Sequence, residues 1–361
     1  MKFFKLFSII SPMVSITPLT IACNDTKEHK VLNFAVIQPW YGDNDISFFN
    51  KIEEEYNKLK TDDMQDIKFN ISFNAENIDL LASIRKGSAD LAIVTSALYD
   101  DLPEIEKQTI KPFMQTQTTA FKFDKEGMTD KEIINTTESL FNAKPFVEWN
   151  DSEYQWDGNK YNFFYDNEGL SDFYRGAIWI WGNPETLGKL KEAWDNKDYD
   201  QFINYGIQTG KESSASKYLE QEKLFVKHFN KTGNEFKSFA FDKIRRSDKY
   251  KVGNAKELSE GPNMNYHIVF DELGSFAYTH NYKKLNDGSI QKRDYFRPKI
   301  ANTELKLLAV TDKIYYNKFV LNTKKMNDKE IKLLQDCIIN VKQAGYDNYG
   351  PRVGFNGYKR I

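Results

Sequence analysis

Three groupings of residues along this chain could do chemistry. The first is built around a thiol. Lys2 and Lys5 make a basic head, an apolar stretch runs from Leu6 to Ala22, and Cys23 follows at the cleavage point of a secretory leader. Ser8, Ser11, Pro12, Ser15 and Pro18 interrupt that stretch, which is too short for a convincing bilayer-spanning helix. Thr20-Ile21-Ala22-Cys23 has the form of a loose lipobox. The Cys23 sulfur would then take a diacylglycerol, and two acyl chains would hold the mature chain at the outer face of the cell membrane. An ordinary signal peptide with an incidental cysteine is the alternative. The second grouping is a run of hydroxyls, Ser213, Ser214 and Ser216, directly before a helix that starts near Lys217. Hydroxyl donors beside the unpaired amides of a first helical turn make an anion seat, or simply a serine cap. The third is positional: Trp40, Tyr41, Thr95 and Ser96 each follow an apolar run that reads as a strand. Ligands of parallel sheets lie beyond such strand ends.

These groups need elements to hold them in place. Val31 to Ile37, Ile67 to Phe73 and Leu91 to Val94 read as strands. Between the first two, Phe49, Ile52, Tyr56 and Leu59 form one helical stripe, and a second helix spans Asn77 to Lys86 before Gly87. The alternation predicts a parallel sheet covered by helices. A second unit repeats the scheme, with a strand at Ala177 to Trp181 and a helix opened by Asn183 and Pro184 that buries Leu187, Leu190 and Trp194. Another helix runs from about Asp198. Leu305 to Val310 and Lys318 to Asn322 read as strands. Asn327 and Glu330 make a capping box for a helix with Ile331, Leu334, Ile338 and Val341 facing inward. Cys337, one residue off that stripe, reads as a packing residue. Trp149, Trp156 and Tyr161 flank Asp157-Gly158-Asn159, a lid or a plain hairpin. The expected organisation is a signal peptide over 1–22, a tether over 23–30, one lobe from 31–115 with 310–361, and a second lobe over 116–309, hinged around a cleft.

Composition narrows the function classes. The net charge is −2 and becomes more negative once a leader carrying Lys2 and Lys5 is removed, so no global basic surface invites nucleic acid. Two cysteines and four dispersed histidines, His29, His228, His267 and His280, match no zinc pattern, and no metal site is expected. The 27 Phe, 20 Tyr and 6 Trp exceed what most cores use, and a surplus of Trp and Tyr often lines ligand clefts.

Several segments resemble one family. They are Phe173-Tyr174-Arg175-Gly176-Ala177-Ile178-Trp179-Ile180, the stretch from Ala193 through Trp194 to Asp198, Gly274-Ser275-Phe276-Ala277-Tyr278-Thr279-His280-Asn281, and Tyr349-Gly350-Pro351 with Gly354-Phe355-Asn356-Gly357-Tyr358. In this order, over most of the mature chain, they are similar to the high-affinity transport-system lipoproteins of mycoplasmas. Those are extracytoplasmic thiamine-binding proteins related to phosphonate-binding subunits of ABC transporters. Gly87 to Tyr99 and the turn at Ser213 to Ser216 resemble the wider phosphonate-binding group. Members of the family run on by about one helix beyond the Asn-Gly-Tyr-Lys stretch, where this sequence stops at Ile361.

The resemblance implies a two-lobe α/β fold of the periplasmic-binding-protein type II class and a substrate-binding subunit, not an enzyme, serving an ABC permease and its ATPase. It implies a monomer that holds thiamine or, above all, thiamine pyrophosphate, with any accompanying divalent cation undecided. Pyrophosphate would draw on Ser213, Ser214, Ser216, Ser275, Thr279 and Arg175. The cationic thiazolium would favour an aromatic face from Trp40, Tyr41 or Tyr174, with a carboxylate nearby. The aminopyrimidine suits an amide such as Asn281 or Asn356, and His280 joins this set. Each has a bland alternative: Arg175 pairing with an acid, His280 as a satisfied structural histidine, Trp179 and Trp194 as core. Binding another phosphate- or phosphonate-bearing nutrient is the runner-up. A surface phosphatase or nuclease would need an activated nucleophile or metal cluster, and only loose residues such as Asp166 and Asn167 are on offer.

Overall fold

A computed structural model of the chain describes residues 29–157, 160–230 and 236–361. The Cys23 lipobox, the leader and the Gly158-Asn159 turn lie outside the described residues.

The first sheet is built from β1 (Lys30–Ile37), β2 (Ile67–Asn74), β3 (Leu91–Val94) and β4 (Ile110–Phe121), joined by helices α1 (Ser47–Leu59) and α2 (Asn77–Arg85). After α3 (Asp130–Phe141) comes β5 (Tyr165–Ser171), which pairs with the far end of β4. The second sheet holds β6 (Gly176–Gly182), β7 (Ile207–Thr209), β8 (Tyr250–Val252), β9 (Ile268–Glu272) and β10 (Glu304–Val310). Its helices include α4 (Pro184–Asp195) and α5 (Glu220–Phe229), the latter entered through a π-helical turn at Ala215–Leu219. The chain then returns to the first sheet as β11 (Lys318–Asn322), α6 (Asp328–Gln343) and β12 (Gly357–Arg360).

Strand order is β12-β4-β11-β3-β1-β2 in the first sheet and β10-β6-β9-β7-β8 in the second. The expectation of purely parallel sheets needs correction. β1, β2 and β3 are parallel, but β11 runs antiparallel to both β3 and β4 because it arrives from the opposite direction after the second sheet. In the second sheet β6 is antiparallel to β9 and β10, whereas β7, β8 and β9 are parallel. Both sheets are covered on both faces. Phe34, Phe49, Ile52, Leu334 and Cys337 fill one core of the first and Leu80, Ala92 and Val320 the other. Trp149, Phe164, Trp179 and Phe276 pack one face of the second, and Trp194, Phe202, Phe225 and Phe270 its other face.

Local sequence rules hold where they were strong. Asn183 accepts from the Thr186 N–H at 2.8 Å with Pro184 in the first turn, and Asn327 and Glu330 form the capping box of α6. Two crossings link the sheets. β4 pairs with β11 and β12 along its first part and with β5 along Thr118–Phe121, and the return lies between Val310 and Lys318.

Candidate functional site: a crevice at the lobe crossings

The crossings are fastened by a buried ion pair. Arg175 Nε lies 3.0 Å from Asp124 Oδ1, just past β4, and its Nη1 donates to the Thr311 carbonyl at 2.8 Å on the return segment. Asp124 and Arg175 are both buried. Burial pushes the Asp124 pKa up, and Arg175 works against that rise. The guanidinium assigned to a phosphate from sequence is thus engaged by protein on two sides. It clasps the hinge.

Beside the clasp, Tyr174 stacks on Tyr316 with ring centres 4.9 Å apart and planes at 26°. One ring comes from the second-sheet side and the other from the returning segment. The backbone carbonyl of Tyr316 accepts from the Ser96 hydroxyl at the end of β3, so the first lobe meets this pair. Glu272, the last residue of β9, is half-buried, and its pKa is pushed up to about 7 by burial. Among the described residues no cation lies within ion-pair distance of it. Lys217 instead holds Asp271 Oδ1 at 2.6 Å. Burial disfavours the Lys217 charge, but Asp271 and then Glu272 raise its pKa overall. The phenols of Tyr165, Tyr174, Tyr278 and Tyr316 are all pushed up by burial, and each is raised further by the Glu272 charge. Tyr278 nonetheless keeps 39 % of its surface open. That exposure leaves the tyrosine cluster reachable from solvent.

The wall opposite this acid is the start of the π turn and α5. Gly176 lets it approach: a Cβ there would sit 2.4 Å from the Ser216 carbonyl oxygen. Ser214 caps the turn by accepting from the Lys217 N–H at 3.3 Å, Ser216 is buried, and Ser213 is exposed. The first-turn amides have no intrahelical acceptor. Ser275 donates to Asp271 Oδ2, and Thr279 donates to the Ser275 carbonyl at 2.8 Å, which ties the loop after β9 to the same wall.

The remaining sequence candidates are dispersed. Asn281 is fully buried, its amide nitrogen donating to the carbonyls of Phe146, Val147 and Trp149 at 2.6–3.1 Å. Asn281 therefore braces a loop and does not reach the crevice. His280 packs 3.6 Å from the Trp156 ring centre and 3.1 Å from the Tyr282 hydroxyl, and burial lowers its pKa. Thr95 precedes the Ser96 helix and makes no cap bond. Asn356 Oδ1 accepts from the Thr118 hydroxyl at 3.0 Å and the Thr119 N–H at 3.2 Å, on β4. Trp40 is 71 % exposed and Tyr41 47 %, and Trp40 rests on Gly354, two residues before Asn356.

Sequence reasoning missed Glu272, Lys217, Tyr165, Tyr278 and Tyr316. One signal was readable: Ile268-Val269-Phe270 followed by Asp271-Glu272 is a short apolar run that ends in acids, where a strand end would present them. Among the described residues no group of three or more His, Cys, Asp or Glu could hold a metal ion, and no helix is long and apolar enough to cross a membrane.

Two α/β sheets joined by two crossings, with an unpaired acid at a strand end and a helix start beside it, define a substrate-binding protein of the periplasmic type. Comparison with known proteins is more particular. Residues 46–361 match the family described as extracytoplasmic thiamine-binding lipoprotein, and the chain belongs to that family. It is 31 % identical to the high affinity transport system protein p37 of Mesomycoplasma hyorhinis, with 100 % of this chain and 96 % of the relative covered. Identity to the Mycoplasma pneumoniae p37 protein is 30 %, over 97 % of this chain and 92 % of that one. The solved structure of Mycoplasma hyorhinis Mh-p37 superposes with a TM-score of 0.78 at 32 % identity, covering 92 % of this chain and 94 % of that one.

Proposed function

We propose that this protein captures a thiamine-type molecule, above all thiamine pyrophosphate, and delivers it to an ABC permease while tethered to the membrane through lipid on Cys23. One observation carries the ligand reading. Glu272 lacks an ion-pair partner among the described residues, and its charge raises the phenols of Tyr165, Tyr174, Tyr278 and Tyr316, with Tyr278 near enough to hydrogen-bond it. A carboxylate in a cluster of tyrosines suits a flat organic cation such as thiazolium, and each cation–ring contact contributes roughly 0.5–2 kcal/mol. The helix start, with Ser216 and its first-turn amides, offers further donors to the ligand. The family supports the reading, and the solved relative Mh-p37 is described as a candidate thiamine pyrophosphate transporter.

Thermal melts with a ligand panel test this. A ligand at a hundred times its dissociation constant adds about 2.7 kcal/mol of stability. Thiamine pyrophosphate should shift the melt upward and be recovered unchanged. A shift by phosphonates or sugar phosphates, with none by thiamine compounds, overturns the ligand assignment. For the anchor, Cys23→Ser should release the protein or leave its precursor uncleaved. Retention of processed protein on the membrane would refute the lipobox.

A further inference from the structure

We propose that Lys160 supplies the positive charge that answers the ligand's phosphate tail, and so sets the preference for phosphorylated over unphosphorylated thiamine. The inference rests on the thiamine reading above and deepens it. The Lys160 ammonium donates to Thr119 Oγ1 at 3.1 Å and lies 4.7 Å from the ring centre of Tyr165. Thr119 belongs to the crossing strand β4, and Tyr165 is one of the rings whose phenol feels the Glu272 charge. The next residue, Tyr161, is fully buried, and its N–H donates to the Ala277 carbonyl at 2.8 Å, which fixes the backbone that presents the lysine.

Other cations of this region are already answered, Arg175 by Asp124, Lys217 by Asp271 and Lys313 by Glu126. Among the described residues no carboxylate reaches ion-pair distance of the Lys160 ammonium. Asp157, the acid whose charge it feels, turns Oδ1 to the Lys160 backbone N–H at 3.0 Å. Burial lowers the Lys160 pKa, as expected for a half-buried ammonium without a counter-charge. Neither a neutral hydroxyl nor a tyrosine face neutralises such a charge. An arriving phosphate would.

The charges then balance in a specific way. Once Lys217 is committed to Asp271, Glu272 and Lys160 are left as one acid and one cation, both linked to Tyr165: its phenol feels the Glu272 charge and the ammonium lies over its ring. That pair of poles fits a ligand with a cationic ring and an anionic tail. Lys217 could not take the second role, because losing it would strand Asp271 in a buried setting.

Isothermal titration of wild type, Lys160→Met and Lys160→Arg with thiamine and with thiamine pyrophosphate tests the assignment. Removing the ammonium should weaken thiamine pyrophosphate about 10- to 100-fold, the range for a lost charge-assisted contact. Thiamine, itself a cation, should keep its affinity within about threefold, and Lys160→Arg should recover most of the loss. Thr119→Val, which removes the hydroxyl that positions the ammonium, should shift the same ratio in the same direction by less. Equal weakening of both ligands in Lys160→Met, or no change in either, overturns the role of Lys160 while thiamine binding stands. Wild-type protein that binds neither compound defeats the parent reading and this one together.

Discussion

Asp124 at the hinge and Glu272 at the end of β9 are both carboxylates pushed above their ordinary range by burial, yet their surroundings answer them differently. Asp124 has a guanidinium 3.0 Å away that also ties down Thr311, so its charge is consumed in fastening two crossings. Glu272 has tyrosine rings and a lysine already bonded to its neighbour. A buried acid with a dedicated cation serves architecture. One without a cation of its own stays available to a cation from outside.

The largest effect that could break this contrast is on stability. Asp124→Ala leaves Arg175 buried and unpaired, and should destabilise the protein by about 3–5 kcal/mol in denaturant melts. A loss below about 1 kcal/mol would mean the clasp is not structural. Glu272→Gln should do the reverse. Folding stability should hardly fall, because a costly buried charge is removed, while thiamine affinity drops by about 1.5–3 kcal/mol by titration calorimetry.

A pH series sharpens the same difference. The folded Glu272 pKa, about 7, stands above its ordinary 4.5, so its contribution to stability is fully present below about 4.5 and is lost as pH rises through about 7. A cationic ligand needs the ionised form. Thiamine affinity should therefore weaken as pH falls below about 7, with proton release on binding in that range. Glu272→Gln should abolish both effects, and an unchanged pH profile in that variant would place the titration elsewhere. The smallest effect is expected from Tyr174→Leu, which keeps an apolar side chain but removes one ring of the stack. Affinity should fall by roughly 0.5–2 kcal/mol, and an unaltered value would take Tyr174 out of the cation site.

Much of the scaffold was legible because short-range rules govern it. β1, β3 and β11 appear where apolar runs were bounded by polar residues, and the caps at Asn183 and Asn327 form with the partners their spacing requires. β4 was not legible, since Lys111, Pro112, Gln115, Thr116 and Gln117 blur its apolar pattern while it serves two partners in turn. Of the site, the serine turn, Tyr174 and Ser275 do converge on one wall. Arg175 and Asn281 carry polar groups that suit a ligand equally well, but internal partners distant in sequence take up those groups.

By itself, then, the sequence determined the alternation of strands and helices, the helix starts, and the family, because these depend on neighbours a few residues apart or on whole-chain likeness. Only the tertiary structure decided which charges are answered. Asp124 meets Arg175, Lys217 meets Asp271, and Glu272 is left with no cation of its own while its charge reaches the phenols of Tyr165, Tyr174, Tyr278 and Tyr316. Electrostatic pairing depends on distance in space and on burial, and neither is written in residue order.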